Sequence, residues 1–251
     1  QESSFTFSKK KLKKIVKKII KLIEPFAVIL PSAGQSERFG SDIPKQYCKI
    51  DNQLVINYSL DLFLNFEECK KIIIAVSDLN QIPSDISKDK RIEIILGGKS
   101  RGQSVLNCFN HLSQSQCYIN VLIHDAARPC LHPKEVKNFL KLFCTSDYAG
   151  MLFSYPCTDT LKSSVDGKII NATVERSSMW QVQTPQIFKY ENLNNAYSSF
   201  SGNLNSLTDE SSLFDTLNEE VFLYKGSSQN IKITLKEDLQ LAEFIIRNHK
   251  E

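Results

Sequence analysis

A loop of small and cationic residues follows the first continuous apolar run of the chain. The run, residues 26–30, is too short for a core helix and predicts a strand buried on both faces. Directly after it come three small residues, Ser32, Ala33 and Gly34. They let a ligand approach the backbone N–H groups, and Arg38 and Lys45 add positive charge. The loop therefore suits the phosphates of a nucleoside triphosphate, although an ordinary turn with two surface cations has the same composition.

Two further loops after apolar runs carry residues suited to the same ligand. Gly98 and Ser104 lie where a helical pattern starts and could contact a base, ribose or phosphate; equally, Ser104 could cap that helix. Asp125 follows another apolar run and could hold Mg²⁺ against a triphosphate, with Arg128 on a substrate phosphate. An Asp–Arg pair that merely orders the loop is the alternative. No dinucleotide fingerprint or P-loop motif is present, which disfavours dehydrogenases and P-loop NTPases.

The alternation of apolar runs with helical patterns predicts how these loops are positioned. We predict strands over 26–30, 71–76, 92–96, 118–123 and 149–154, and helices over 56–66, 104–112 and 133–143. This order indicates an α/β fold with a mainly parallel, twisted sheet and helices on both faces. Such sheets bind ligands at the carboxyl ends of their strands, so functional residues should follow Leu30, Leu96 and Ile123. Further strands are predicted over 221–223 and 231–234, and a closing helix from Glu237.

Residues 155–182 interrupt this alternation with polar sequence. Segments 158–162 and 169–174, joined through an Asp166-Gly167 turn, predict a β-hairpin. The hairpin has too few apolar positions for a core of its own. We therefore expect an arm that projects from the body and is stabilised by a second subunit.

Composition divides the chain into a basic tail, residues 1–25, and a body, residues 26–251. Net charge is +3, but eight lysines lie within residues 1–24 against two glutamates, so the body is slightly acidic. Apolar residues at helical spacing predict a basic amphipathic helix in the tail. It could contact a membrane surface or nucleic acid, or be the remnant of a targeting segment. We favour a helix laid on the body with its lysines in water.

Cysteine and histidine usage exclude several classes of site. Seven cysteines, an odd number, form no C-x-x-C pair, so we expect a reducing compartment and no structural zinc. The four histidines form no metal-binding motif, which disfavours a transition-metal site built by the protein. No apolar run approaches the length of a membrane span, so we expect a soluble chain without stable membrane insertion.

Six segments together resemble the methylerythritol-phosphate cytidylyltransferase family in order and spacing. They are residues 31–47, 97–104, 124–129, 159–162, 180–185 and 230–234. The resemblance implies a fold like that of nucleotide-diphospho-sugar transferases and a homodimer in which each arm reaches the partner's active site. It implies CTP and methylerythritol phosphate as substrates, Mg²⁺ as cofactor, and a place in non-mevalonate isoprenoid synthesis. It implies no nucleic-acid partner, and a location in a bacterial cytoplasm or a plastid-type organelle.

The resemblance also assigns roles to individual residues. Catalytic contacts to CTP and substrate phosphates would come from Arg38, Lys45 and Lys232. The nucleotide would lie against Ser32, Ala33, Gly34, Gly98 and Ser104. Methylerythritol phosphate would be held by Asp125, Arg128, Thr160, Arg176 and Thr184, with Asp125 also serving the metal. This chain departs from the family pattern at Ser32 and Ser36, where alanine and glycine are usual.

The implied reaction is attack by a phosphate oxygen of the substrate on the α-phosphorus of CTP, with release of pyrophosphate. Because the second pKa of a phosphate monoester is about 6, the nucleophile is already ionised at neutral pH and needs no general base. A cytidylyltransferase for ribitol 5-phosphate or another pentitol phosphate is the alternative, which the small pair Ala126-Ala127 disfavours. A non-catalytic nucleotide- or nucleic-acid-binding module is the alternative from a different class.

Overall fold

The sheet at the centre of the molecule has seven strands, of which only one runs against the others. The structure is a computed structural model that describes residues 23–34, 39–40, 43–112 and 119–249. The parallel strands are β1 (Phe26–Ser32), β4 (Cys69–Val76), β5 (Ile92–Leu96), β6 (Asn120–Ile123), β7 (Gly150–Pro156) and β11 (Val221–Lys225). Strand β10 (Trp180–Lys189) lies antiparallel between β6 and β7. The order across the sheet is β11, β7, β10, β6, β1, β4, β5.

Five α-helices lie within the described residues, and two of them cover each face of the sheet. They are α1 (Val55–Leu64), α2 (Arg101–Leu112), α3 (Pro133–Cys144), α4 (Tyr190–Ser199) and α5 (Glu237–Asn248). In β1, Val28 and Leu30 pack in one apolar cluster with residues of α1 and α3, whereas Ala27 and Ile29 pack in another with α2 and α4. A strand buried on both faces must be apolar throughout, which explains the continuous run in the sequence. The predicted α/β fold is confirmed.

Helix α5 covers a third apolar cluster beside the carboxyl ends of the strands. Its residues Ala242 and Ile245 pack there with Ala127 and Ile233. Ala127 lies two residues after Asp125, and Ile233 directly follows Lys232. The closing helix therefore fixes the backbone of two segments that carry candidate site residues.

The prediction of a strand over 231–234 is wrong. This segment has alternating apolar residues but joins no sheet; the Ile233 N–H donates instead to the carbonyl of Ala127, at 2.9 Å. Ile233 is buried beneath α5, and Lys232 lines the cavity described below. The alternation therefore comes from a segment with one side against the core and the other facing the cavity. The sequence pattern does not predict strand β10, because glutamines and Pro185 interrupt its apolar residues.

The arm is a short hairpin of β8 (Leu161–Ser163) and β9 (Ala172–Val174), antiparallel to each other and outside the main sheet. It continues from the ends of β7 and β10, which pair as far as Pro156 and Trp180. A separate two-stranded ribbon, β2 (Lys49–Ile50) with β3 (Gln53–Leu54), lies ahead of α1. The predicted tail helix, and Arg38, lie outside the described residues. Among the described helices, none combines the length and apolar character that spanning a bilayer requires.

Candidate active site

A cavity of about 780 Å³ opens where β1, β5 and β6 end. The loops after Leu30, Leu96 and Ile123 meet there, as the topology of a parallel sheet requires. Many of the predicted site residues line it: Ser32, Ala33, Gly34, Lys45, Gly98, Ser104, Asp125 and Lys232.

The first loop is tied to the segment that carries Lys45. Gln46, which is buried, donates a hydrogen bond from Nε2 to the carbonyl of Ser32 at 2.8 Å. The short 3₁₀ helix Lys45–Tyr47 is therefore held against the end of β1. This contact places the ammonium-bearing residue Lys45 and the small residues 32–34 along one wall of the cavity.

The glycine loop after β5 is ordered by Ser104, although not as the cap of a helix. Helix α2 begins at Arg101, so Ser104 lies within its first turn. Its hydroxyl accepts a hydrogen bond from the Gly98 N–H at 2.9 Å and donates to the carbonyl of Ser100 at 2.8 Å. A Cβ at Gly97 would lie 2.6 Å from that of Ala33. Glycine there allows the first and second loops to pack closely enough to form a single wall.

Asp125 is the centre of charge in the site. Its carboxylate lies 2.8 Å from Lys232 Nζ, 3.4 Å from Arg101 Nε and 3.5 Å from Arg128 Nε. Burial alone would raise the pKa of this carboxyl, but Lys232, Arg101 and Arg128 together hold it well below its usual range. Asp125 is therefore ionised, and the three cations outnumber it. This arrangement leaves net positive charge for the phosphates of a ligand.

A buried hydrogen-bond network behind Asp125 fixes its backbone. The Asp125 N–H donates to Thr184 Oγ1 at 3.0 Å, and that hydroxyl also contacts His124 Nδ1 at 3.1 Å. The second ring nitrogen of His124 lies 3.1 Å from the carbonyl of Arg128. Burial lowers the pKa of His124 to about 4, so the ring is neutral near pH 7. Both of its nitrogens are engaged, which fits a structural role.

A smaller cavity of about 310 Å³ adjoins the first and shares Arg101, Asp125 and Lys232 with it. Its other lining residues are polar or charged except for Val182: Arg128, Val182, Gln183, Thr184, Gln186, Thr208 and Asp209. Residues 183 and 184 lie where the pairing of β10 with β7 is interrupted, between Val182 and Gln186. Amide, hydroxyl and carboxylate groups of this kind suit a ligand rich in hydroxyls. Arg128 and Thr184 thus lie together, next to Asp125, as predicted.

Arg101 and Glu210 are site residues that sequence reasoning missed. Both oxygens of the buried Glu210 accept hydrogen bonds from Arg101 Nη1, at 2.9 and 3.0 Å. Burial alone would lower the pKa of Arg101, but Glu210 and Asp125 raise it, so the guanidinium stays charged. The signal for Arg101 was a cation at the end of the glycine loop, in Gly98-Lys99-Ser100-Arg101. Glu210 gave none, since it lies 109 residues further along the chain.

Thr160 and Arg176 are not brought to either cavity of their own chain. Both are exposed residues of the arm and its base, and neither lines the two cavities. The Arg176 guanidinium donates to the carbonyl of Thr158, across the base of the arm. Their predicted part in substrate binding therefore requires a second chain.

The donor set of the site fits Mg²⁺ only together with a nucleotide. Within the described part of the chain, no cluster of three or more His, Cys, Asp or Glu side chains could hold a metal ion. Among the described residues lining the larger cavity, Asp125 is the one carboxylate. Mg²⁺ is commonly held by one or two carboxylates with substrate phosphates and water. Asp125 can supply the protein's share of such a set.

Fold and site together define a class. A mainly parallel sheet with a glycine-lined, cationic cavity at its strand ends is the architecture of an α/β nucleotidyltransferase. The model of the family IspD: 2-C-methyl-D-erythritol 4-phosphate cytidylyltransferase matches residues 26–248. This chain belongs to that family.

Individual relatives agree with the family match. The 2-C-methyl-D-erythritol 4-phosphate cytidylyltransferase of Wigglesworthia glossinidia brevipalpis is 38% identical over 226 residues, which cover 89% of this chain and 96% of the relative. The protein of the same name from Haemophilus influenzae (strain PittGG) is 36% identical, covering 88% and 96%. The crystal structure of the Francisella tularensis enzyme superposes with a TM-score of 0.77 at 29% identity, covering 88% of this chain and all of the other.

Proposed function

We propose that this chain transfers CMP from CTP to 2-C-methyl-D-erythritol 4-phosphate. The products are 4-diphosphocytidyl-2-C-methyl-D-erythritol and pyrophosphate, in the non-mevalonate route to isoprenoid precursors. The carrying observation is that Asp125 and its cations lie where a larger, glycine-lined cavity meets a smaller, polar one. Two substrates that must react with each other require adjoining sites of this kind. Family membership favours methylerythritol phosphate over ribitol 5-phosphate as the acceptor.

The two cavities divide the substrates between them. The larger one takes CTP, with its phosphates along Ser32, Ala33, Gly34 and Lys45 and its nucleoside toward Gly98 and Ser104. The smaller one takes the acceptor, with Arg128, Thr184 and Asp125 on its phosphate and hydroxyls. The α-phosphorus of CTP then lies near the shared residues Arg101, Asp125 and Lys232. This placement brings the acceptor phosphate oxygen to the atom that it attacks.

Catalysis in this site consists of alignment and charge neutralisation. The attacking oxygen belongs to a phosphate that is ionised near neutral pH, so the absence of a usable base in His124 is no obstacle. As the new P–O bond forms and pyrophosphate departs, negative charge accumulates on the transferred group. Lys45 and Lys232 line the cavity and can neutralise that charge. Arg38, outside the described residues, is proposed to do the same. Electrostatic stabilisation of this kind usually lowers the barrier more than any other effect of a binding site.

Asp125 would hold Mg²⁺ against the triphosphate, where the ion supplies further neutralisation of phosphate charge. Lys232, at 2.8 Å from the same carboxylate, keeps Asp125 ionised when the metal is absent. The carboxylate thereby positions both a protein cation and the substrate.

The arm supports a proposal about assembly. Its exposed apolar residues Val165, Ile169 and Ile170 lack a covering layer within the described part of their own chain. We expect a homodimer in which Thr160 and Arg176 of each arm reach the acceptor cavity of the partner. Since the six cysteines within the described residues are unpaired, we further place the enzyme in a reducing compartment, a bacterial cytoplasm or a plastid-type organelle.

A comparison of two acceptors tests the proposal. Pyrophosphate release from CTP is measured with methylerythritol phosphate and with ribitol 5-phosphate at equal concentrations. We expect release with the first to exceed release with the second at least tenfold, a discrimination that a few fitted polar contacts provide. Faster turnover of ribitol 5-phosphate would make the chain a pentitol-phosphate enzyme, and release with neither would remove the proposed reaction.

A further inference from the structure

The buried carboxylate of Glu210 lies at the junction of the two cavities but reaches neither. Its side chain is 0% exposed, and Arg101 is its hydrogen-bond partner through both oxygens. Burial raises the pKa of Glu210, and the charge and hydrogen bonds of Arg101 oppose that rise. A buried ionised carboxylate is costly unless it is paired, and such a pair is often no more stable than apolar residues of the same volume. A contribution to folding is therefore a weak explanation for this pair.

Arg101 contacts carboxylates on two sides. Its Nη1 bonds Glu210, while its Nε lies 3.4 Å from Asp125 Oδ1. Arg101 is also one of three residues that line both cavities. A planar guanidinium held at two of its nitrogens cannot turn. Its charge is thereby kept at the junction.

Glu210 itself is held by a well-supported segment. The Asp209 side chain accepts a hydrogen bond from the Ser212 N–H at 3.2 Å, which fixes the start of the short 3₁₀ helix Glu210–Phe214. At its end, Phe214 stacks on Phe188 of β10, with ring centroids 5.2 Å apart and ring planes at 5°. The segment is thus anchored to the central sheet. Glu210 can therefore act as a fixed point for Arg101.

We propose that Glu210 is a positioning residue that holds the Arg101 guanidinium beside Asp125, at the junction where the phosphorus is attacked. The proposal rests on the proposed function, since it takes the junction to be the place of reaction. Without Glu210, an unneutralised and mobile Arg101 would pair with the outer phosphates of CTP in the ground state. Binding of CTP would then persist or tighten while stabilisation of the transition state fell.

Glu210→Gln keeps the shape of the side chain and removes its charge. We expect kcat to fall about 10- to 100-fold, the usual effect of losing a residue that orients a catalytic contact, while KM for CTP stays unchanged or decreases. Glu135→Gln is the matched control: Glu135 is a partly buried carboxylate of α3 that lines neither cavity, and kcat should stay within about twofold of wild type. Calorimetric titration with CTP gives the fraction of competent sites, to which every kcat is normalised.

Arg101→Lys tests whether Glu210 acts through Arg101. In that background Glu210→Gln should add less than about threefold, because the group that it positions is already gone. If the double variant loses kcat by the product of the two single losses, the proposal is overturned. A Glu210→Gln variant with a raised KM for CTP and an unchanged kcat would overturn it too. Should Glu210→Gln fail to fold, Glu210→Asp replaces it, since it keeps the charge but draws the guanidinium away from Asp125. Wild-type enzyme that releases no pyrophosphate would refute the proposed function, whereas active wild type with an unaffected Glu210→Gln refutes only the positioning role.

Discussion

The region around Asp125 and the arm differ in how their polar groups are satisfied. Asp125 is 7% exposed, and its side chain and backbone contact Lys232, Arg101, Arg128 and Thr184. In the arm, by contrast, apolar Val165 is 94% exposed, and the exposed Arg176 side chain donates to the carbonyl of Thr158 within the arm itself. The body completes its charge network within one chain. The predicted functional side chains of the arm reach neither cavity of their own chain, so their proposed role would need a second chain.

Removing the centre of the body network should have the largest effect. We expect Asp125→Asn to lower kcat by about 10³-fold, because it loses the carboxylate that orients three cations and would hold the metal. Turnover is measured as pyrophosphate release over a Mg²⁺ titration, after chelator treatment has abolished activity. The exposed Asp147→Asn is the control and should behave as wild type. A mutant as active as wild type at ordinary Mg²⁺ would remove Asp125 from catalysis and from the metal.

Single cations of the body should matter somewhat less. Lys45→Ala and Arg38→Ala are each expected to lower turnover by roughly 10²-fold, the scale for losing one group that stabilises transition-state charge. Lys49→Ala, which removes an exposed lysine paired with Asp85, should change turnover by less than about twofold. Near-normal turnover with CTP in Lys45→Ala would place the triphosphate elsewhere in the cavity.

The body and the arm were also unequally accessible to prediction. Continuous apolar runs identified the parallel strands, and the meeting of strand ends then predicted that Asp125, Gly98 and Lys45 lie together. This prediction succeeds because the strands can be located from the local pattern of apolar residues, and a parallel sheet then brings their carboxyl ends to one edge. The same reasoning correctly set the arm apart from the main sheet, since a hairpin with few apolar positions cannot form a core of its own.

What sequence reasoning missed depends on contacts between distant segments. Glu210 meets Arg101 across 109 residues, and no local periodicity encodes such a pair. The strand predicted over 231–234 failed for a related reason. Its alternation comes from burial of Ile233 beneath α5 and exposure of Lys232 to the cavity, a pattern of period two that needs no partner strand.

Mixing two inactive mutants tests whether the arm serves a second chain. Asp125→Ala breaks the body, and Arg176→Ala breaks the arm. Random exchange makes half of the dimers mixed, each with one intact site and one doubly broken site, so about one quarter of wild-type activity should return. Exchange is verified with differently tagged chains. Activity that stays at the level of the single mutants would mean that each site is built from one chain.

The smallest expected effect is on the free energy of unfolding, measured by replacing one valine in each region. Val165 at the arm tip is 94% exposed, whereas Val136 of α3 is 0% exposed and packs in the apolar cluster beneath the sheet. We expect Val165→Ala to change the free energy of unfolding by less than about 0.5 kcal/mol, since it removes almost no contact with its own chain. Val136→Ala should cost about 2 kcal/mol, because it leaves a cavity in close-packed surroundings.

Urea unfolding of both variants at several protein concentrations makes this measurement. If Val165→Ala costs as much as Val136→Ala, and the cost grows with protein concentration, the arm tip is buried against a second chain. The partner's contacts would then extend past Thr160 and Arg176 to the end of the hairpin. If instead the cost is small at every concentration, the arm makes its contacts with the partner through its base. The tip then remains in water, and the functional part of the arm is confined to the residues nearest the body.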